Sequence, residues 1–261
     1  LPTALTIAGS DSGAGAGIQA DLKTFSALGV YGTTVITALT AQNTLGVQAI
    51  EVVAPEMVGK QLEAVFTDMG ASAVKIGMLG SAANIGIIAG MLRHYQARNI
   101  VLDPVLASTS GSCLLPGEAL NVLVERLLPA ADIITPNLAE AEILTGLSIS
   151  SVADMKKAAA VLHQNGPRMV LVKGGHLTGA PIDVLYNGND FVLLEGKRIN
   201  SENTHGTGCT LSSAITAYLA LGLDPLSAVR KAKEFVTAAI QFSLPIGKGK
   251  GPVNQFYQSK V

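Results

Sequence analysis

The chain has no tryptophan, and aromatic residues make up only 4% of its 261 positions. Charge is scarce too: Asp, Glu, Lys and Arg amount to 14%, with a formal net charge of −1. No run of lysines and arginines occurs, so a polyanion finds no electrostatic footprint, and nucleic acid is excluded as an expected partner. Long apolar runs are also missing. Mean hydropathy is positive, yet Ser, Thr, Asn or a charge interrupts every stretch approaching the roughly 18 residues a membrane span needs. The two cysteines, Cys113 and Cys209, make neither a disulfide framework nor a zinc pattern. The first residues enter a strand pattern directly, without a basic segment or cleavage site, so the cytoplasm is the expected compartment.

What the chain has in quantity is apolar residues, 48%, and glycine, 28 residues. That balance suits a sheet buried on both faces, whose strands are apolar throughout. Ala4–Ala8, Thr34–Ala41, Ala73–Ile76, Ile100–Leu102, Asp132–Thr135 and Met169–Val172 read as such strands. Between them, Ile18–Leu28, Glu56–Asp68, Ala83–His94, Gly117–Leu128 and Val152–Gln164 repeat apolar residues at helical steps. Repeated βα units predict an α/β fold with a mainly parallel sheet and right-handed crossovers. "IDVLYNGNDFVLLEGKRI" differs, since strand patterns flank Asn187-Gly188-Asn189-Asp190 and predict a β-hairpin. Two helices follow, Cys209–Leu221 and Pro225–Phe242, the second capped by Asp224 with proline at its first position. No linker or repeat interrupts the chain, so residues 1–261 are expected to form one domain.

In such sheets ligands bind outside the carboxyl ends of the strands. Ala8, Ala41, Leu102, Ile134 and Val172 each lead into glycine or polar residues, and these ends should converge. The first, "GSDSGAGAG", lacks the final glycine of a dinucleotide fingerprint and the Lys of a phosphate loop. It reads as a tight turn that lets backbone approach a small ligand. "HGTGC" places glycines just before a helix, where outward N–H groups and the helix dipole make an anion site. Cys209 on the first turn should feel the same field, which lowers a thiol pKa. From this segment alone it is equally a small hydrophobe at a tight helix entry. His205 and Cys209 lack a further ligand pair for zinc, and His205 is either a partner for the thiol or an exposed loop residue.

Asn137 with Glu140 in "TPNLAEAE" has the spacing of a capping box. The functional alternative is that Asp103 and Glu140, on adjacent strand ends, hold Mg²⁺ through water. Lys173 ends an apolar strand beside glycines, where a buried ammonium calls for an anionic partner.

Taken together and in order, "ALTIAGSDSGAGAGIQADLKTFSALGVYG", "ITALTAQNT", "KIGMLG", "VLDPV", "ITPNLAEAE", "VKGGH" and "NTHGTGCTLSSAI" resemble the ribokinase superfamily over nearly the whole chain. Within it, they resemble the hydroxymethylpyrimidine/phosphomethylpyrimidine kinases of thiamin synthesis. The resemblance implies a ribokinase-like three-layer αβα fold with a mainly parallel central sheet and a β-hairpin. It also implies an ATP-dependent kinase, commonly a homodimer, acting on a small molecule with Mg²⁺. Gly206, Thr207, Gly208 and Cys209 would face the transferred phosphoryl group with Lys173, and Cys209 would accept a proton from the substrate hydroxyl. Asn137, Lys173, Thr207 and Lys233 would contact the nucleotide, and Asp103 and Glu140 the metal. Gln42 would read the aminopyrimidine edge, with Gly9, Asp21, Met78 and Val105 around it, although Asp21 could equally be a helix-surface charge. The related pyridoxal kinases carry an apolar residue at the position of Gln42 and a second cysteine in a lid, aligned here with Ser108 rather than Cys113. Pyridoxal kinase is therefore the alternative activity.

Overall fold

The structure, a computed structural model, describes residues 1–107, 114–115, 117–175, 177 and 180–258. Ser108, Cys113 and most of the lid segment 107–112 lie outside the described residues.

Apolar strands pair into one nine-stranded sheet. In chain order these are β1 (Thr3–Asp11), β2 (Tyr31–Asn43), β3 (Gly46–Val52), β4 (Ala73–Ile76), β5 (Ile100–Leu102), β6 (Ile133–Ile134), β7 (Met169–Val172), β8 (Ile182–Tyr186) and β9 (Phe191–Glu195). Their spatial order is β3-β2-β1-β4-β5-β6-β7-β8-β9. From β2 to β7 all neighbours are parallel, while β3, β8 and β9 join antiparallel at the edges. The predicted hairpin is β8–β9, closed by Asn187 Oδ1, which accepts from the N–H groups of Asn189 and Asp190.

Alternate residues of each parallel strand feed opposite cores. Ile100, Leu102 and Ile134 face α2 (Pro55–Asp68), α3 (Ala82–His94) and α6 (Val152–Gln164). Val101 and Ile133 face α7 (Thr207–Ala220) and α8 (Pro225–Gln241). The α1 helix (Gly17–Ala27) packs beside α7, where Phe25 and Ala217 share a cluster. These are the expected layers: helices cover both faces of a mostly parallel sheet.

Two elements differ from the sequence reading. The β3 strand was not expected, because it lies at the sheet edge with its side chains largely exposed and has no buried run to reveal it. The helix expected over Gly117–Leu128 is α4 (Gly117–Val122), followed by a π turn at Leu123–Leu127 and a 3₁₀ turn at Leu128–Ala130. Pro129 has no N–H with which to continue an α-helical ladder. The short helix α5 (Leu138–Thr145) stands on the anticipated capping box: Asn137 accepts from Glu140 N, and Glu140 accepts from Asn137 N. No helix among the described residues is long and apolar enough to cross a membrane.

Candidate active site

The parallel strands all end on one side. There Asp103, Thr135 and Lys173 continue the sheet's hydrogen bonding by donating to Ile76 O, Leu102 O and Pro136 O. The side chains of Asp103 and Lys173 border a cleft of about 940 Å³.

The N-terminus of α7 closes the floor. Gly206, its N-cap, has φ +82°, and a Cβ there would collide with Gly15 O, so only glycine allows this turn. Thr207 N–H is spent on Thr204 O. Among the described residues the N–H groups of Gly206, Gly208 and Cys209 meet no acceptor, so these are the donors left for an anion. Of the expected Gly206–Cys209 anion hole, this removes only Thr207 N–H. Gly208 lies against the lysine–aspartate pair: a Cβ there would stand 3.4 Å from Lys173 Nζ and 3.6 Å from Asp103 Oδ2.

Lys173 has the anionic partner the sequence called for: its Nζ donates to Asp103 Oδ1 at 2.9 Å. Asp103 also accepts from Thr135 Oγ1 at 3.2 Å and Ser212 Oγ at 3.3 Å. Burial works against its charge, but the ammonium groups of Lys173 and Lys75 outweigh it and hold the carboxyl below the usual range. Burial likewise opposes the Lys173 charge, and Asp103 and Glu140 still raise that group. Glu140 goes the other way. Burial, reinforced by Asp103 and only partly offset by Lys173, pushes it up to about 7.

The thiol departs from expectation. Burial is the largest influence on Cys209; Lys75 pulls the thiol down, Asp21 and Asp103 push it up, and the balance lies at about 11. The helix-terminus field that should have ionised it loses to desolvation. Cys209 still has a face on the open cleft, where water offsets part of that burial.

Asp21 departs as well, being neither a pocket wall nor a surface charge. It lies on the inward face of α1, fully buried, and accepts from Thr6 Oγ1 (2.6 Å), Ser213 Oγ (2.6 Å) and Lys75 Nζ (2.8 Å). Lys75, also fully buried, sits just beneath the cleft floor. Sequence reasoning passed over it as a residue of the apolar strand β4, although a lysine inside "AVKIGM" was the available signal.

Gln42, Gly9, Met78 and Val105 do line the cleft, at the end nearest β1. Asn137, Glu140, Thr207 and Lys233 line it too. Lys233 is not a free cation, since its Nζ donates to Asp183 Oδ2 at 2.5 Å. His205 is partly buried rather than a bare loop residue, and it reaches Asp11 and Gln42.

A cleft at the strand ends, floored by a helix N-terminus and flanked by a lysine–aspartate pair, is how a ribokinase-like small-molecule kinase is built. The particular family follows from comparison: the phosphomethylpyrimidine kinase family model matches residues 11–254, and the chain belongs to that family. The hydroxymethylpyrimidine/phosphomethylpyrimidine kinase of Rhizobium meliloti is 52% identical over 259 residues, covering 98% of this chain and 97% of that protein. The thiamine biosynthesis bifunctional protein of Geobacter sulfurreducens is 54% identical over 252 residues, 96% of this chain but 51% of that protein, so the chain spans about half its length. Among solved structures, an ADP complex of Bacillus subtilis pyridoxal kinase superposes with a TM-score of 0.91 at 40% identity, covering 98% of this chain and 97% of that one.

Proposed function

We propose that the chain transfers phosphate from ATP to the hydroxymethyl group of 4-amino-5-hydroxymethyl-2-methylpyrimidine and then to the resulting monophosphate, in thiamin biosynthesis. The observation that carries this reading is that Lys173 lies beside the free N–H groups of Gly208 and Cys209 in one cleft. Phosphoryl transfer needs positioned cations and N–H donors around developing charge rather than covalent chemistry by the protein. Gln42, at the other end, offers an amide donor beside an acceptor to an aminopyrimidine edge. Cys209 at the junction takes the proton of the attacking hydroxyl.

Mg²⁺ suits the donor set in a limited way. Among the described residues, no cluster of three or more His, Cys, Asp or Glu side chains could hold a metal ion. Asp103 and Glu140 are both in the cleft wall, and Mg²⁺ is ordinarily held by one or two carboxylates, several waters and substrate phosphates. Bound there, it would neutralise phosphate charge. Glu140 is already engaged with Asn137 N and Asp103 with Lys173, which favours contact through water.

A homodimer is consistent with the sheet edge, where Leu39, Leu45, Ile50 and Val52 are exposed on β2, β3 and their turn; light scattering on the purified protein tests it. Pyridoxal kinase is the second reading, favoured by the Bacillus subtilis superposition. The deciding experiment measures phosphotransfer from ATP side by side on hydroxymethylpyrimidine, its monophosphate and pyridoxal. Efficient turnover of pyridoxal alone overturns the first reading.

A further inference from the structure

His205 Nε2 meets two groups at once. It lies 3.1 Å from Asp11 Oδ2 and 3.3 Å from Gln42 Nε2. An imidazole nitrogen carries either a proton or an in-plane lone pair, so it cannot both donate to the carboxylate and accept from the amide. Asp11 decides which it carries. Its oxygens accept from the N–H groups of Gly13 (2.8 Å), Gly15 (3.0 Å) and Ala16 (2.8 Å), donors that favour an ionised carboxylate. A lone pair facing that anion is repelled, whereas a proton is attracted; Nε2 therefore bears the proton.

A protonated Nε2 is mismatched with an amide –NH₂. A half-turn of the Gln42 amide exchanges oxygen and nitrogen with little movement of heavy atoms. It brings the amide oxygen to His205 Nε2–H and the –NH₂ to Thr40 Oγ1, which lies 3.4 Å from the other amide atom. Thr40 can accept there, because its own proton goes to Ser10 O at 2.9 Å.

We infer that Asp11 and His205 form a positioning pair that fixes which way round the Gln42 amide faces, and so the order of donor and acceptor offered to the substrate ring. This rests on the reading of Gln42 given above. The pair is rigidly built. His205 N donates to Gly251 O and His205 O accepts from Val253 N, both at 3.1 Å. The ring lies against Gly15, where any Cβ would collide with it. The ligand so selected is a heteroaromatic ring bearing an exocyclic amino group beside a ring nitrogen. A reversed amide would set donor against donor.

Calorimetric Kd values test this with two probes, hydroxymethylpyrimidine and its analogue lacking the 4-amino group. In His205→Leu, affinity for the amino compound should fall about five- to tenfold, the scale of one oriented hydrogen bond, with little change for the analogue. His205→Gln, which keeps an N–H at similar reach, should recover most of the preference. Asp11→Asn, which removes the charge holding the proton, should shift it as His205→Leu does. Adding His205→Leu to Gln42→Met should have no further effect. Equal losses for both probes, or additive losses in the double variant, would overturn the positioning role. If Gln42→Met leaves the preference intact, the reading of Gln42 falls and the pair with it; if Gln42→Met abolishes it while His205→Leu and Asp11→Asn do not, only the pair falls.

Discussion

Lys173 Nζ reaches Asp103 Oδ1 at 2.9 Å across the end of the strand between them, and this bond places the cation beside the free N–H groups of α7. Lys173→Met should lower turnover in both phosphorylation steps by about 10²–10³-fold, the usual loss for one electrostatic donor to a transition state. It should also leave Asp103, 2% exposed, as a buried charge short of its main partner. Breaking such a pair costs about 3–5 kcal/mol. The Asp103 carboxyl is held below its ordinary value of 3.8, so its contribution to stability is present above that pH and fades below it. Thermal unfolding should therefore show a large deficit at pH 7 that shrinks as the pH falls below 4.

Glu140 has the opposite sign. Its carboxyl is raised from 4.5 to about 7, so the folded state holds the proton more tightly than the unfolded one. Stability is full below pH 4.5 and declines as the pH rises toward 7, by at most on the order of 3 kcal/mol. Glu140→Gln can still accept from Asn137 N and keep the capping box. The variant without metal should match the parent in melting temperature at pH 4.5 and exceed it at pH 8. Equal melting temperatures at both pH values would show that the carboxyl is not strained by burial.

The parallel strands were legible because burial on both faces writes continuous apolar runs, and the site because polar residues stand where those runs stop, as at Asp103 and Lys173. Edge strand β3 was not legible, since exposure leaves no such run. The chain's order also says which residues lie near the cleft better than which groups remain free in it. Thr207 N–H and Lys233 Nζ are consumed by Thr204 O and Asp183. Asp21 shows the same limit: helical periodicity put a charge on α1, but only the fold reveals Lys75, Thr6 and Ser213 converging on it. The thiol's state depends on a balance of burial and opposing charges that no local motif contains.

Lys75 and Asp21 are both fully buried and 2.8 Å apart. Removing either alone strands a charge in the interior. Lys75→Met should cost about 3–5 kcal/mol, and the double variant Lys75→Met/Asp21→Asn should regain much of it, because a neutral pair removes the uncompensated charge. A double-mutant cycle by urea denaturation measures this directly. Additive losses would mean that the two side chains are not energetically coupled.

The proposed activity asks one cleft to serve two acceptors. An alcohol must lose its proton as it attacks, whereas a phosphate monoester oxygen is already ionised near neutral pH. With the thiol at about 11, the thiolate is scarce at pH 7, roughly one part in 10⁴, but it is a strong base when formed. Below that value its abundance rises tenfold per pH unit. Phosphorylation of the alcohol should accordingly accelerate from pH 7 to 9, while that of the purified monophosphate stays nearly flat. Cys209→Ala removes the base but leaves the backbone donors. It should slow the alcohol step by about 10²–10⁴-fold, abolish that step's rise with pH, and affect the monophosphate step far less. Measuring each step separately across this range decides the matter. Equal losses in both steps would show that Cys209 does something other than take a proton from the alcohol.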